Sequence, residues 1–178
     1  MRPFEGVSTT LKSGAGFRFA IVVSRFNASI TESLRRAART ALEEAQVKPA
    51  DVEEFSVPGA FELPQAARCA AETSRFDAII TLGCVIRGET PHFEYVSAAA
   101  TQGIMAAAGE TGVPIALGVL TTDSEAQALA RAGDDADNKG REAAAAAIEM
   151  AVLFRTLGRP PARSSAHPFG FGPASGER

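Results

Sequence analysis

The feature that most restricts the fold of this chain is a regular alternation of short apolar segments with longer segments of helical periodicity. The first apolar segment, residues 17–24, is continuous and rich in β-branched residues, which is typical of a strand buried on both faces. The segment after it carries apolar residues at helical spacing from Leu34 to Ala45. Because strands that alternate with helices require crossover connections, the pattern predicts a parallel sheet between helical layers.

The rest of the chain repeats this alternation. Further strands are predicted at residues 52–57, 78–86 and 115–120, and further helices around Pro64, at 91–109, at 124–132 and at 138–158. Ser29 and Glu32 predict a capping box at the start of the first helix, and Asn138 is expected to cap the last helix. The predicted fold class is α/β, a three-layer α/β/α sandwich with a four-stranded parallel sheet.

Both ends of the chain differ from this central part. Residues 1–16 are interpreted as an N-terminal arm, in which residues 7–12 form a short strand that pairs with the sheet of a neighbouring subunit. Residues 159–178 are rich in proline, glycine and serine and lack periodicity, which predicts a disordered C-terminal tail. The folded domain is therefore expected to span residues 17–158.

The composition excludes several classes of function. With 18 basic and 21 acidic side chains, the net charge of −3 offers no basic field for nucleic acid or an anionic membrane. No apolar run approaches the roughly 20 residues of a membrane span, and no signal peptide is recognisable, so we expect a cytoplasmic protein.

Cys69 and Cys84 lack metal-ligand spacing and are interpreted as free thiols. Two histidines, His92 and His167, do not suffice for a multi-histidine metal centre, so no metal is expected.

In an open parallel sheet, ligands bind beyond the carboxyl ends of the strands, so the segments that follow each strand are the candidates for a site. These segments read S-R-F-N at 24–27, V-P-G-A-F-E-L-P at 57–64, G-C-V-I-R-G-E-T-P-H-F-E-Y-V at 83–96 and G-V-L-T-T-D at 118–123. Phe26 and Phe61 are either loop anchors that pack on the domain or platforms that stack on a planar ring. Glu62 either binds a ligand or caps the following helix.

The third of these segments contains a predicted helix start. Thr90 is a suitable cap and Pro91 suits a first turn, and free amides at a helix start can bind an anion. His92, in that first turn, is a candidate for proton transfer. Arg131 either binds phosphate or is a solvated arginine at a helix end. Cys84 is expected to be a small buried side chain and not a nucleophile.

Taken in order, these motifs, together with R-A-G at 131–133 and N-K-G at 138–140, resemble the 6,7-dimethyl-8-ribityllumazine synthase family over about residues 17–157. The resemblance implies a flavodoxin-like fold and a transferase. Such enzymes condense 5-amino-6-(D-ribitylamino)uracil with 3,4-dihydroxy-2-butanone 4-phosphate, releasing phosphate and water. It implies no cofactor and no metal.

The resemblance also implies roles for individual residues. Phe26 is expected to stack on the pyrimidine, and His92 to move protons. The other expected contacts to substrate come from Ala60, Phe61, Glu62, Cys84, Val85 and Ile86 on the pyrimidine and ribityl side and from Glu89, Thr90 and Arg131 on the phosphate side. Arg131 and Leu117 come from a neighbouring subunit; many relatives carry an aromatic residue at the position of Leu117, where leucine keeps an apolar wall. Lys139 is expected to add positive charge near the phosphate.

The same resemblance implies self-association into pentamers, and in some relatives into a 60-subunit shell, with riboflavin synthase as a further expected partner. The short connection at 134–137 favours the shell, whereas its three aspartates oppose it. Two alternatives stay open. An archaeal-type riboflavin synthase is disfavoured by the G-E-T-P-H motif and the arginine of R-A-G, and a non-catalytic flavin-binding or shell-forming relative is disfavoured by His92.

Overall fold

The structure is a computed structural model that describes residues 11–160. Its centre is a parallel sheet of four strands in the order β2-β1-β3-β4. The strands are β1 Phe19–Ser24, β2 Val52–Val57, β3 Ala78–Ile86 and β4 Ile115–Thr122. The helices are α1 Ala28–Glu44, α2 Leu63–Glu72, α3 His92–Thr111, α4 Glu125–Leu129 and α5 Lys139–Thr156, with short 3-10 turns at Pro49–Asp51 and Ala60–Glu62.

The predicted fold class is confirmed, and the strand order is that of a flavodoxin-like sheet. β1 lies at the centre, with Phe19 opposite both Val52 of β2 and Ala78 of β3. All of its residues are buried, as expected for a strand that is covered by helices on both faces. The two strands at the edges, β2 and β4, are partly exposed.

Each face of the sheet has its own apolar core. On one face, α1 and α5 pack against the sheet with side chains such as Leu34 and Ile148 fully buried. On the other face, α2 and α3 pack through side chains such as Leu63 and Ile104. Burial of a side chain of this size contributes about 1.5–3 kcal/mol, so the two cores hold both helical layers on the sheet.

Most predicted elements are confirmed, but their ends differ. Residues 52–57 and 78–86 form the predicted strands. β4 continues two residues beyond its predicted end because Thr122 still pairs with Ile86 of β3. The first strand begins at Phe19 and not at residue 17, and α4 is shorter than predicted.

The start of α1 contradicts the sequence prediction. The capping box of Ser29 and Glu32 does not form, because the helix already begins at Ala28 after Asn27 in a left-handed backbone conformation. Glu32 instead accepts a hydrogen bond from Arg35 Nε at 2.6 Å. At α5 the prediction is confirmed, since the Asn138 side chain accepts a hydrogen bond from the amide of Gly140 at 2.8 Å.

Parts of the predicted arm and tail lie outside the described residues. Residues 7–10 of the predicted N-terminal strand and residues 161–178 of the predicted tail belong to these parts. Leu11 and Lys12 are described and are not in a strand; Leu11 packs against the core. The proposed division into arm, domain and tail therefore stays a prediction. Between residues 11 and 160, the longest helices are too short or too polar to cross a membrane.

Candidate active site

The candidate site lies at the carboxyl edge of the sheet, where the connections after β1, β2 and β3 are tied together. The amide of Phe26 donates a hydrogen bond to the carbonyl oxygen of Pro58 at 3.2 Å. The side-chain nitrogen of Asn27 donates to the carbonyl oxygen of Cys84 at 3.0 Å. The first connection therefore holds the other two in place.

Asn27 was missed by the sequence analysis as a residue that shapes the site. Its φ and ψ of 58° and 49° place it in the left-handed region, and it immediately precedes α1. Asparagine tolerates this conformation better than most residues other than glycine. An asparagine directly before a helix was the available signal, but its bond to β3 spans 57 positions and is invisible in the sequence.

Two aromatic side chains are exposed to solvent at this edge of the sheet. Phe26 is 70% exposed and Phe61 is 63% exposed. Neither ring packs on its own domain to the extent that a loop anchor would, so most of each side chain is accessible to a planar ligand. Ala60, which precedes Phe61 in the 3-10 turn, is buried in the core that the sheet shares with α2 and α3.

Glu62 takes the capping role that the sequence analysis kept as its alternative. Its Oε2 accepts a hydrogen bond from the amide of Gly59 at 2.9 Å and closes the 3-10 turn before α2. Within residues 11–160, no donor to its Oε1 is found. One carboxylate oxygen therefore holds the turn, and the other is available to a ligand.

The last residues of β3, from Cys84 to Ile86, can contact a ligand through their main chain. The Cys84 side chain is buried, as predicted, and burial raises the pKa of its thiol to about 11, although Asn27 acts in the opposite direction. The thiol is therefore protonated at neutral pH and is a poor nucleophile. Val85 and Ile86 are half-buried and pack against the two opposite cores. Any contact between Cys84 and a ligand must come from its main chain.

The connection between β3 and α3 forms an open helix start. Thr90 does not cap the helix, which is a correction of the sequence prediction: Pro91 occupies the N-cap position and α3 begins at His92. Helical backbone begins directly after Pro91, and the carbonyl oxygen of Pro91 accepts a hydrogen bond from the amide of Glu94 at 3.1 Å, so the residue that precedes the helix is Pro91 and not Thr90. Glu89, Thr90 and His92 are exposed.

The backbone amides at this helix start are available to an anion. Among residues 11–160, no acceptor is found for the amides of Glu89, Thr90 or His92. Unpaired amides at the start of a long helix attract negative charge, because the helix dipole adds to their own partial charges. The geometry therefore favours a phosphate or carboxylate group at this position.

Leu117, Arg131 and Lys139 lie apart from this group. Leu117 is 48% exposed and lies near the amino end of the edge strand β4, where it pairs with Thr81 of β3, and not at the carboxyl edge of the sheet. Arg131 is exposed and donates to the carbonyl oxygen of Gln127 at 2.9 Å. Lys139 forms an ion pair with Glu142.

Arg131 is also attached to the other layer of the fold. Its neighbour Ala132 is buried in the core with α1 and α5, and Ser33 of α1 donates a hydrogen bond to the carbonyl oxygen of Ala132 at 2.6 Å. The start of α3, with His92, belongs to the layer on the opposite face. Within one subunit, the structure thus joins the first three connections and leaves Leu117 and Arg131 elsewhere.

Comparison with known proteins adds to this geometry. A family model described as 6,7-dimethyl-8-ribityllumazine synthase matches residues 16–155. The chain belongs to this family. All the candidate residues, from Phe26 to Lys139, lie within the matched stretch.

Three curated relatives carry the same name, 6,7-dimethyl-8-ribityllumazine synthase. The protein from Anaeromyxobacter dehalogenans (strain 2CP-C) is 52% identical over 152 residues, which cover 85% of this chain and 94% of the relative. The protein from Syntrophus aciditrophicus (strain SB) is 53% identical over 142 residues, covering 80% and 92%. The protein from Salinibacter ruber (strain DSM 13855 / M31) is 52% identical over 142 residues, covering 80% and 91%.

Two other features of this lumazine synthase family member are separate from the candidate site. Within residues 11–160, no group of three or more His, Cys, Asp or Glu side chains is placed to hold a metal ion. An open cleft lies between α1 and the connection from α4 to α5. Four of its charged side chains are paired, Arg141 with Glu44 at 2.5 Å and Arg36 with Asp134 at 4.0 Å, while Asp135 has no cationic partner among the described residues, so the cleft offers no uncompensated positive charge to a phosphate.

Proposed function

We propose that the chain is a transferase that condenses 5-amino-6-(D-ribitylamino)uracil with 3,4-dihydroxy-2-butanone 4-phosphate to 6,7-dimethyl-8-ribityllumazine, releasing phosphate and water. The observation that carries the proposal is that the exposed rings of Phe26 and Phe61 lie at the same edge of the sheet as an open helix start that bears His92. A planar substrate and an anionic substrate would thus lie next to each other. Membership of the family supplies the identity of the two substrates.

The pyrimidine is proposed to stack on Phe26. Ala60, Phe61 and Glu62 bind the ribityl chain and the ring edge, through the main chain and the Oε1 of Glu62. Cys84, Val85 and Ile86 contribute main-chain groups at the end of β3. Support comes from the exposure of both rings and from the burial of the Cys84 thiol, which leaves only its backbone for contact.

The phosphate is proposed to bind the amides of Glu89 and Thr90, with the Glu89 carboxylate turned away from it. The unpaired amides at the start of α3 support this placement. His92 then lies beside both substrates and carries protons during condensation, phosphate elimination and ring closure. Lys139 makes a smaller contribution, because its charge is already shared with Glu142.

A neighbouring subunit is proposed to complete each site with Leu117 and Arg131, so that the smallest active unit is a ring. The attachment of Arg131 and His92 to opposite layers supports this arrangement. α3 also exposes large apolar side chains, with Tyr95 73% and Met105 74% exposed, which a subunit contact would cover.

We propose a pentameric ring as this unit. Packing of twelve rings into a 60-subunit shell is favoured by the short 134–137 connection and opposed by its three aspartates, of which Asp134 is 91% exposed. A cytoplasmic location and riboflavin synthase as a partner complete the proposal. Sedimentation at moderate salt measures the assembly: a 60-subunit particle supports the shell, and a pentamer rejects it.

Turnover is tested by mixing the protein with both substrates and following lumazine absorbance together with phosphate release. Formation of lumazine with one phosphate released per product supports the proposal. Conversion of supplied lumazine to riboflavin without phosphate release would instead support the archaeal type of riboflavin synthase. Flavin binding without any turnover would support a non-catalytic relative.

The shared site is tested by mixing two impaired variants, His92→Ala and Arg131→Ala, and allowing their subunits to exchange. If Arg131 acts in a neighbour's site, some sites in a mixed ring combine an intact His92 with an intact Arg131, and part of the activity returns. Each variant treated alone in the same way is the control. Full activity of an isolated monomer would reject the shared site.

A further inference from the structure

Arg87 is the first residue after β3, and its side chain makes three different contacts. Nε donates a hydrogen bond to Asp123 Oδ1 at 2.6 Å, and a terminal nitrogen forms an ion pair with Glu94. The guanidinium carbon lies 4.2 Å from the centre of the Phe93 ring. These contacts use the edge and the face of one guanidinium group at the same time.

The partners of Arg87 lie on both sides of the open helix start. Asp123 directly follows β4, and the amide of Arg87 also donates to the carbonyl oxygen of Thr122 at 2.9 Å. Phe93 and Glu94 belong to the first turn of α3. Arg87 therefore links the ends of both strands to the helix and closes a short loop that contains residues 88–92.

The charges around this loop give Arg87 a second effect. Glu94 and Asp123 would otherwise place two unpaired carboxylates near the amides proposed to bind phosphate. Hydrogen bonding to Arg87 lowers the pKa of Glu94, so this carboxylate stays ionised and paired. Pairing of both carboxylates with one cation reduces their repulsion of an incoming phosphate.

We propose that Arg87 is a positioning residue for the phosphorylated substrate: it holds residues 88–92 so that their amides face the phosphate and His92 faces the reacting atoms. This inference rests on the proposed function. It adds a residue that acts through the loop and does not itself touch either substrate.

Arg68 provides a matched control. It is an exposed arginine that also bridges two carboxylates, Glu72 at 2.9 Å and Glu110 at 2.5 Å. It joins α2 to the last turn of α3, at the end of the helix opposite to His92. Its replacement removes two comparable contacts with carboxylates, although not a ring contact, and lies away from the loop.

The experiment compares the full-length variants Arg87→Met, Arg87→Lys and Arg68→Met by steady-state kinetics with each substrate varied in turn. For Arg87→Met we expect the KM for the butanone phosphate to rise about tenfold or more, with the KM for the pyrimidine changed less than about threefold. Arg87→Lys should recover part of the loss, since lysine keeps the charge but not the forked geometry. Arg68→Met should resemble the unaltered protein. Equal rises for both substrates, or kinetics like those of Arg68→Met, would overturn the inference.

Amide hydrogen exchange separates this inference from the proposed function. In Arg87→Met the amides of residues 87 and 94, which donate to the carbonyl oxygens of Thr122 and Pro91, should exchange about tenfold faster than in the unaltered protein, and in Arg68→Met they should not. Unchanged exchange in Arg87→Met rejects the positioning role whether or not the protein turns over. Faster exchange in a protein that lacks turnover supports the positioning role and rejects only the proposed reaction.

Discussion

The two ends of the sheet use their polar and aromatic groups differently. At the amino end, the Asp77 carboxylate is 9% exposed and accepts hydrogen bonds from the amide of Arg18 at 2.8 Å and from the side chain of Arg155 at 3.2 Å. The guanidinium carbon of Arg155 also lies 3.5 Å from the centre of the Phe17 ring. At this end the Arg155 cation contacts both the Asp77 carboxylate and the Phe17 ring, and these contacts hold the strand ends together.

At the carboxyl end the rings of Phe26 and Phe61 are exposed, and the amides that begin α3 have no acceptor among the described residues. Carboxylate, ring and amide groups are thus paired within the domain at one end, where only atoms such as Arg155 Nε lack a partner among the described residues, and similar groups are left accessible at the other end. The difference indicates that the amino end contributes to stability and the carboxyl end to binding. Variants at the two ends should therefore separate these properties.

The largest effect is expected for His92→Ala at the carboxyl end. Loss of a proton carrier should lower turnover with saturating substrates about 10²- to 10⁴-fold. The melting temperature should not change, because the side chain is exposed. Stopped-flow absorbance and thermal unfolding measure the two effects. An unchanged rate would remove His92 from the mechanism.

Asp77→Ala is the corresponding change at the amino end. It leaves the Arg155 cation and the amide of Arg18 without this acceptor, and the free energy of unfolding should fall by about 3 kcal/mol. Denaturant titration measures the loss, and kcat below the melting temperature should stay the same. Asp134→Ala, at a side chain that is 91% exposed, is the control and should change stability by less than about 0.5 kcal/mol. A similar effect of both variants would contradict the comparison.

Asn27 is the point at which stability and the site meet, and two substitutions separate its contributions. Asn27→Gly keeps the left-handed backbone but loses the bond to Cys84, which should cost about 1 kcal/mol. Asn27→Ala also introduces backbone strain and should cost about 2 kcal/mol or more. Urea unfolding measures both. Equal losses would show that the backbone conformation is not strained by alanine.

The smallest effect concerns the thiols. The Cys84 pKa of about 11 means that the folded protein keeps this proton at pH 8, where exposed Cys69 should react with iodoacetamide and Cys84 should not. The unfolded thiol loses its proton near its ordinary pKa of about 8.5, so the contribution of Cys84 to stability should be complete below that pH and decline as the pH rises towards 11. Mass spectrometry of the alkylated peptides checks the first expectation. Rapid modification of folded Cys84 would show that its site is open to solvent.

The sequence predicted the elements whose signals are local. The buried strand before residue 24, the strands at 52–57 and 78–86, Pro64 in a first turn and the Asn138 cap are all confirmed. Two local predictions were wrong, the capping box at Ser29 and the cap at Thr90. In both cases another residue, Asn27 or Pro91, directly precedes the helix.

For the candidate site, the sequence predicted which connections lie at the carboxyl edge and which residue types they present. It kept capping as one of two alternatives for Glu62, but it did not predict that one oxygen accepts from the amide of Gly59 while the other stays available, because that depends on the geometry of the 3-10 turn. It also kept two alternatives for Phe26. The structure shows the exposed ring, while its role in binding stays a proposal.

By itself, then, the sequence determined the α/β alternation, the approximate positions of its strands and the family to which its motifs belong, because periodicity and turn chemistry act over a few neighbouring residues. The tertiary structure decided which distant groups meet. Arg87 pairs with Asp123, and Gly140 lies so close to the backbone of Leu34 that an added Cβ would be 2.0 Å from its carbonyl oxygen. Such contacts are set by how helices and strands pack in three dimensions, and no local propensity encodes them.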